Sequence, residues 1–288
     1  MLHSLDAHAW GLLTHVYFAQ WLLWTLPLTD PALRAAVKKF PKLVLAGACL
    51  PDLSLISPAF RHTHQWRHVH DMMRSARTEQ ETAIAVGYAS HLLVDVVAHN
   101  HFVPAHEAMW LEQTLFTHIL SEWAVDGHIS PLVGDTPHAL LAAHHEVTAT
   151  VMARHFRCSE QRADQAILRL ARADRLLRKT AVPHLLYHLF RHIDRRVFRH
   201  FVYYTSQTQA VLQHAEQVLQ GEHPGWDPDP RHERTVLQEL RMYSLAQLQN
   251  NHPAPLHLFA GPAVFHTSMK ESHAIQAPIA APASTSLG

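Results

Sequence analysis

The sequence predicts an all-α fold made of one multi-helix domain. Apolar residues recur with helical periodicity in eight segments, at about 10–26, 31–50, 78–100, 105–125, 137–156, 159–180, 183–218 and 231–250. Prolines separate many of these segments, and no stretch shows the apolar-polar alternation between turns that is typical of strands. Only 9 of the 288 residues are glycine, which disfavours an architecture rich in strands and tight turns. We therefore expect an all-α domain over residues 1–252.

The C-terminal residues 253–288 differ from the rest in composition. Ala, Pro, Ser and His dominate there, and the helical periodicity is lost. We expect a flexible, disordered tail, because such a segment has too little apolar surface to form a packed core. Residues 221–231, GEHPGWDPDPR, are expected to form a loop within the domain.

The overall composition excludes several classes of protein. Hydrophobic residues make up 48% of the chain, which excludes global disorder. Lys and Arg together number 24, as do Asp and Glu, so bulk positive charge cannot drive avid nucleic-acid binding. With two cysteines, Cys49 and Cys158, the chain has neither a disulfide framework nor a Cys-based zinc module. Histidine is the anomaly, at 28 residues.

The first helical segment is apolar enough to be a membrane-span candidate. Residues 10–28 contain no Asp, Glu, Lys or Arg. Polar residues inside the segment, including His15 and Gln20, and the early Pro27 favour instead a buried helix of a soluble protein. No basic region precedes it, so we expect no signal peptide and a cytoplasmic protein, with peripheral membrane association as an alternative.

The strongest candidate for a metal site is the segment 87–104, GYASHLLVDVVAHNHFVP. His91, Asp95 and His99 are spaced by four residues, so they share one side of a helix, among apolar neighbours. A buried Asp is costly unless it is paired or bound to a metal, and imidazole with carboxylate suits Zn²⁺. His101 can join the same site if the helix ends near Pro104.

Other segments offer further ligands. His118 and Glu122 are again four residues apart on an apolar helix, and facing helices in a bundle can share one metal site. His15 and Asp52 add candidates from the N-terminal helix and from a predicted helix end. The run 61–70 offers four more candidates, His62, His64, His68 and His70. Each residue alone fits an ordinary structural role, and it is their combination that favours a metal site.

A second histidine stripe predicts something different. His184, His188 and His192 are also spaced by four, but they share their face with three arginines rather than with carboxylates. Because clustered Arg repels a cation, we expect a solvated basic face that could contact phosphate or an anionic surface.

The candidate residues occur in motifs that resemble the zinc-dependent phospholipase C and single-strand nuclease superfamily, in particular its intracellular bacterial phospholipase C-like branch. The resemblance covers about residues 10–122 and rests on five motifs in order: WGLLTH (10–15), GACLPD (47–52), TH (63–64), GYASHLLVD (87–95) and HILSE (118–122).

Membership would imply an all-α fold and a cluster of two or three zinc ions. The resemblance assigns one zinc to His64, His91 and Asp95, and a second to His118, Glu122 and either His99 or His101. It also leaves open whether His64, His68 or His70 completes the first site. A third zinc would use His15 and Asp95. In secreted members the amino group of an N-terminal Trp also binds that zinc, whereas Trp10 is internal in this sequence.

The function that the resemblance implies is zinc-dependent phosphoester hydrolysis of the phospholipase C type. Asp52, itself a candidate ligand, would orient or deprotonate the attacking water. The substrate is expected to be a phosphoester, with a phospholipid favoured over nucleic acid because the net charge is zero. A nuclease of the same fold, and a metal-binding non-hydrolytic protein or biosynthetic enzyme on this fold, are the alternatives.

Overall fold

A computed structural model describes residues 11–25, 28–102, 114–193, 197–222 and 226–230. Within these ranges the protein consists of helices and connecting turns, without a strand, as the sequence predicts. The eleven α-helices in this part are α1 Leu12–Thr25, α2 Pro31–Lys39, α3 Pro41–Gly47, α4 Trp66–Ser75, α5 Glu79–Val97, α6 Thr114–Ile129, α7 Pro137–Phe156, α8 Glu160–Lys179, α9 Val182–Ile193, α10 Val197–Leu212 and α11 Ala215–Leu219.

Two of the predicted segments are divided. The segment 31–50 breaks at Phe40, because Pro41 starts a new helix and leaves α2 and α3 as separate elements. The segment 183–218 contains α9, α10 and α11, and the described residues show a break at Gln213 and His214, between α10 and α11. The run 61–70 enters a helix, since α4 begins at Trp66. The predicted helix 231–250 and the predicted tail 253–288 lie outside the described residues.

Helix α5 is the centre of the fold. It contacts α1, α2, α3, α4, α10 and α11, and its residues from Ala83 to Val97 are all buried. Thr78 starts the helix as its N-cap, accepting a hydrogen bond from the Glu81 amide at 3.2 Å. The stretch Glu79–Asn100 is long and apolar enough to cross a membrane, but 94% of its most apolar window is buried in the protein. This burial matches a core helix.

Glycines allow α3 and α5 to pack at backbone distance. A Cβ at Gly87 or at Gly47 would lie less than 3.0 Å from a backbone carbonyl oxygen of the other helix, that of Val44 or Ile84 respectively. This close approach brings the end of α3 next to the middle of α5, where the candidate ligands lie.

Helix α5 continues into a π-helical turn, Ala98–Phe102. Pro51 starts a short 3-10 helix, Pro51–Leu55, directly after α3. Both irregular segments carry candidate ligands, Asp52 in the 3-10 helix and His99 in the π-helical turn. Helix α1 is buried along most of its length, including His15, while Trp24 near its end is 75% exposed.

Candidate metal centre

His91 is held from behind by the end of α3. It lies in the middle of α5, and its Nδ1 donates a hydrogen bond to the Ala48 carbonyl at 2.7 Å. Because a carbonyl only accepts, Nδ1 carries the proton and the lone pair is on Nε2. Burial lowers the pKa of His91 to about 3, so the ring is neutral at neutral pH. The side chain is thus in the form that binds a metal.

His64 faces His91 and is oriented in the same way. The Thr63 hydroxyl donates to the Pro51 carbonyl at 2.5 Å, so it accepts a hydrogen bond from Nδ1 of His64 at 3.2 Å. The lone pair of His64 is therefore also on Nε2, which lies 3.2 Å from Nε2 of His91. Two lone pairs at this distance repel each other, and a shared cation removes the repulsion.

The carboxylate of Asp95 lies next to the imidazole rings of three histidines. Its Oδ2 lies 2.9 Å from Nε2 of His91 and 3.3 Å from Nε2 of His64, while its Oδ1 lies 3.5 Å from Nε2 of His15. Asp95 is fully buried. The predicted spacing on α5 therefore places His91 and Asp95 together, and α1 brings His15 to the same carboxylate.

Asp52 projects from the 3-10 helix toward the same histidines. Its Oδ1 lies 3.8 Å from Nε2 of both His64 and His91. Burial raises the pKa of this carboxyl well above its usual range, and the carboxylates of Asp95 and Glu122 raise it further. This buried oxygen accepts no hydrogen bond from the described residues. Such an atom is costly unless a cation or a proton satisfies it.

The five side chains form two overlapping sets of candidate ligands. His15, Asp52 and His91 form one set, and the other contains His64, His91 and Asp95. Within each set the ligand atoms lie within 4.8 Å of one another. Neutral imidazole nitrogens with carboxylate oxygens are the ligands that zinc prefers, so the residues present fit a zinc site.

For the remaining candidate ligands, the structure describes the side chains of two and not those of the other two. His99 is buried in the π-helical turn, and Glu122 is buried on α6, where its charge acts on Asp52. The side chains of His101 and His118 lie outside the described residues, so the choice between His99 and His101 stays a prediction.

His68 has a different role from that of His64. Its Nε2 bonds to the His62 carbonyl at 2.8 Å, and its ring packs on Phe156, with the ring centroids 4.5 Å apart. Among the described residues, His64 belongs to a candidate ligand set, whereas neither His68 nor His70 does.

Several supporting groups were missed by the sequence reasoning. The carbonyl of Ala48 and the hydroxyl of Thr63 orient the two central histidines. No sequence motif indicates that these two groups have this role. Asp126 could have been noticed, because it extends the spacing of four from His118 and Glu122 by one more turn.

A short strap, residues 226–230, lies near the ends of the two ligand-bearing segments. Nε1 of Trp66, two residues after His64, donates to the Trp226 carbonyl at 3.0 Å. Nδ2 of Asn100, next to His99, donates to the Asp227 carbonyl at 2.8 Å. The strap therefore links the start of α4 to the π-helical turn.

Comparison with protein families matches residues 14–173 to the family described as zinc dependent phospholipase C. The chain belongs to this family. The match covers more than half of the chain and includes each candidate ligand from His15 to Glu122. No curated protein and no solved structure gave a significant match. Family membership and the His/Asp cluster together support a metal-dependent hydrolase and suggest that its metal is zinc.

Proposed function

We propose that this member of the zinc-dependent phospholipase C family hydrolyses a phosphoester with a metal-activated water, in the manner of a phospholipase C. The observation that carries the proposal is the buried Oδ1 of Asp52, which faces His64 and His91 without a hydrogen-bond donor from the described residues. A purely structural carboxylate in the core would be paired with a donor.

The residues divide into holding and proton-moving groups. His64, His91 and Asp95 would hold one zinc. His15 lies beside Oδ1 of Asp95, the oxygen that does not face His64 and His91, and would add a further ligand there. When bound, zinc supplies a Lewis acid for a phosphoryl oxygen and a water of lowered pKa.

Asp52 is the candidate general base. Burial and the neighbouring carboxylates raise its pKa. A carboxylate with a raised pKa accepts a proton more readily than an ordinary Asp at the surface. All five side chains of the two ligand sets are buried, which limits competition from bulk water.

A lipid substrate is favoured by the exposed face of α9. Leu185 is 68% exposed and Leu189 is 50% exposed, and both lie beside the exposed His188 and Arg191. The expected solvated histidine stripe is present, since His184, His188 and His192 are all exposed, and these two leucines reach solvent as well. Adjacent apolar and basic side chains suit peripheral contact with a lipid surface.

The proposal is tested by metal analysis followed by assays of hydrolysis. We expect the purified protein to contain zinc and to cleave phosphatidylcholine vesicles faster than bis(p-nitrophenyl) phosphate or single-stranded DNA. Asp95→Ala should lose the metal and the activity, whereas Asp164→Ala, which alters a half-exposed carboxylate paired with His145, should keep both.

Each alternative predicts a different outcome of the same assays. Preferred cleavage of DNA would favour a nuclease of this fold. Bound zinc without turnover on any of the three substrates would overturn hydrolysis and favour a non-hydrolytic or biosynthetic role. Absence of transition metal from both the wild type and Asp95→Ala would overturn the metal centre itself.

A further inference from the structure

We infer that Asp126 is a positioning residue for His15: it fixes the first turn of α1 and thereby sets the imidazole of His15 against His91 and Asp95. The inference rests on the metal centre of the proposed function, and it concerns a carboxylate that belongs to neither candidate ligand set.

The contacts of Asp126 with α1 are direct. Asp126 lies on α6 and is 1% exposed. Its Oδ1 accepts hydrogen bonds from the amide of Thr14 at 3.0 Å and from the hydroxyl of Thr14 at 2.7 Å. Thr14 lies in the first turn of α1, where the helix dipole favours a negative charge. The carboxylate therefore fixes both the position and the rotation of the helix start.

Gly11 allows the carboxylate to come this close. A Cβ at residue 11 would lie less than 3.0 Å from the carboxylate atoms of Asp126. The Gly11 carbonyl also accepts hydrogen bonds from the amides of Thr14 and His15, at 2.9 and 3.4 Å. The same few residues thus contact Asp126 and carry His15.

Arg178 supports the carboxylate from its other side. Its Nη2 lies 3.4 Å from Oδ2 of Asp126, and the same guanidinium binds Asp174 at 2.7 Å. With Oδ1 bonded to Thr14 and Oδ2 facing a guanidinium, Asp126 is turned toward protein groups rather than toward a metal. Its role is therefore to hold α1.

Helix α1 transmits this restraint to the candidate ligands. His15 directly follows Thr14, and its ring stacks on His91 with the centroids 3.6 Å apart. A ring stacked at this distance tolerates little rotation of the helix that carries it. Groups that orient metal-binding histidines commonly change metal affinity 10- to 100-fold when they are removed.

Asp174 provides a matched control within the same network. It binds the same Arg178, but its Oδ2 accepts a hydrogen bond from the His138 amide at 3.1 Å, at the start of α7. Removal of Asp174 perturbs Arg178 and a helix start but leaves both hydrogen bonds between Thr14 and Asp126 in place. Comparison of the two carboxylates separates loss of a buried charge from loss of the restraint on His15.

The experiment uses the full chain with Co²⁺ as the metal probe. Asp126→Ala should weaken Co²⁺ binding about 10-fold and change the visible absorption spectrum of the bound ion. Asp126→Asn, which keeps an oxygen for Thr14, should recover most of the affinity. Asp174→Ala should keep the affinity within about twofold and should keep the wild-type spectrum.

Two further measurements keep the test valid if Asp126→Ala does not fold or if the protein does not bind metal. One uses a milder variant, and the other uses the metal-free protein. Thr14→Val removes only the hydroxyl hydrogen bond and should cause a smaller change of the same kind. In the metal-free protein, Asp126→Ala should speed hydrogen exchange in the first turn of α1, whereas Asp174→Ala should not.

Two results would overturn the inference. One is an equal effect of Asp126→Ala and Asp174→Ala on Co²⁺ binding, and the other is unchanged exchange in α1 when Asp126 is replaced. The exchange measurement needs no metal, so it fails or succeeds independently of the proposed hydrolysis.

Discussion

The imidazole rings of His15 and His91 stack, with centroids 3.6 Å apart and planes inclined by 11°. Two protonated rings at this distance would repel each other, and the lowered pKa of His91 keeps that ring neutral at neutral pH. Each Nε2 faces a different oxygen of Asp95, at 3.5 Å for His15 and 2.9 Å for His91. Asp95 therefore joins the two candidate ligand sets, and His91 belongs to both.

This shared membership predicts an order of metal loss. His91→Ala removes a ligand from both sets and should abolish zinc binding. His15→Ala leaves His64, His91 and Asp95 in place and should retain zinc at that set. The zinc content of each variant after dialysis, measured by atomic spectrometry, tests the order. If His15→Ala loses its zinc as completely as His91→Ala, the division into two sets is wrong.

His68 gives a prediction for pH dependence that is independent of the metal. Burial lowers the pKa of His68 from 6.5 to about 4, so the folded state holds it neutral. Between pH 6.5 and 4 the unfolded chain binds this proton and the folded chain does not, so stability falls as the pH falls through that window. The full effect is about 3 kcal/mol.

Replacement of His68 by Gln should remove this component of acid sensitivity, because the amide can still donate to the His62 carbonyl but takes up no proton. Urea unfolding of the metal-free protein at several pH values between 4 and 7.5 measures the difference from the wild type. His184→Gln, which replaces an exposed histidine, controls for loss of an imidazole. Parallel stability curves for the wild type and His68→Gln would contradict the prediction.

The contact between α3 and α5 predicts a strong effect of one methyl group. Gly87→Ala would place a Cβ against the Val44 carbonyl, and backbone atoms cannot move aside as a flexible side chain can. We expect a loss of about 3 kcal/mol of stability and a displaced Ala48–His91 hydrogen bond, which should also weaken zinc binding.

Gly134→Ala is the matched control for this substitution. A Cβ at Gly134 meets nothing within 4 Å, so we expect a change of stability within about 0.5 kcal/mol. Thermal unfolding and zinc affinity measure both effects. Similar melting temperatures for the two variants would contradict the prediction, because they would show that α3 and α5 can move apart without a loss of stability.

The sequence predicted those parts of the site that depend on spacing along one helix. A separation of four residues places His91 and Asp95 on the same side of α5, and the structure shows their ligand atoms 2.9 Å apart. The sequence could not show that Thr63 and Ala48 orient the histidines, because these groups come into contact only when separate segments pack together. For the same reason it missed the pairing of Asp126 with Thr14, 112 residues apart.

Helix boundaries show a similar limit. Periodicity groups 31–50 and 183–218 as single segments, since the helices within each keep an apolar face, and within the first only Pro41 marks a break. Local events end the individual helices, such as the restart at Pro41. Exposure of Leu185 and Leu189 was not predicted either, because a helical wheel shows which residues share a face but not which face is covered.

The strap at residues 226–230 leads to the last prediction. Trp66→Phe keeps a large aromatic ring but removes the N–H that bonds to the Trp226 carbonyl. Loss of one such bond should cost about 1 kcal/mol. Asn100→Asp should cost more, about 2 kcal/mol, because its carboxylate would face the carbonyls of Val96 and Asp227, to which the amide now donates.

Hydrogen exchange of a peptide that covers the strap measures both variants directly. The amides of residues 226, 227 and 229 should exchange faster in Trp66→Phe and faster still in Asn100→Asp. Trp24→Phe is the matched control, because Trp24 is 75% exposed. Since Trp66 and Asn100 lie within two residues of the candidate ligands His64 and His99, a loosened strap should also raise KM for the phosphoester substrate. Unchanged exchange in both variants would show that other contacts hold the strap in place.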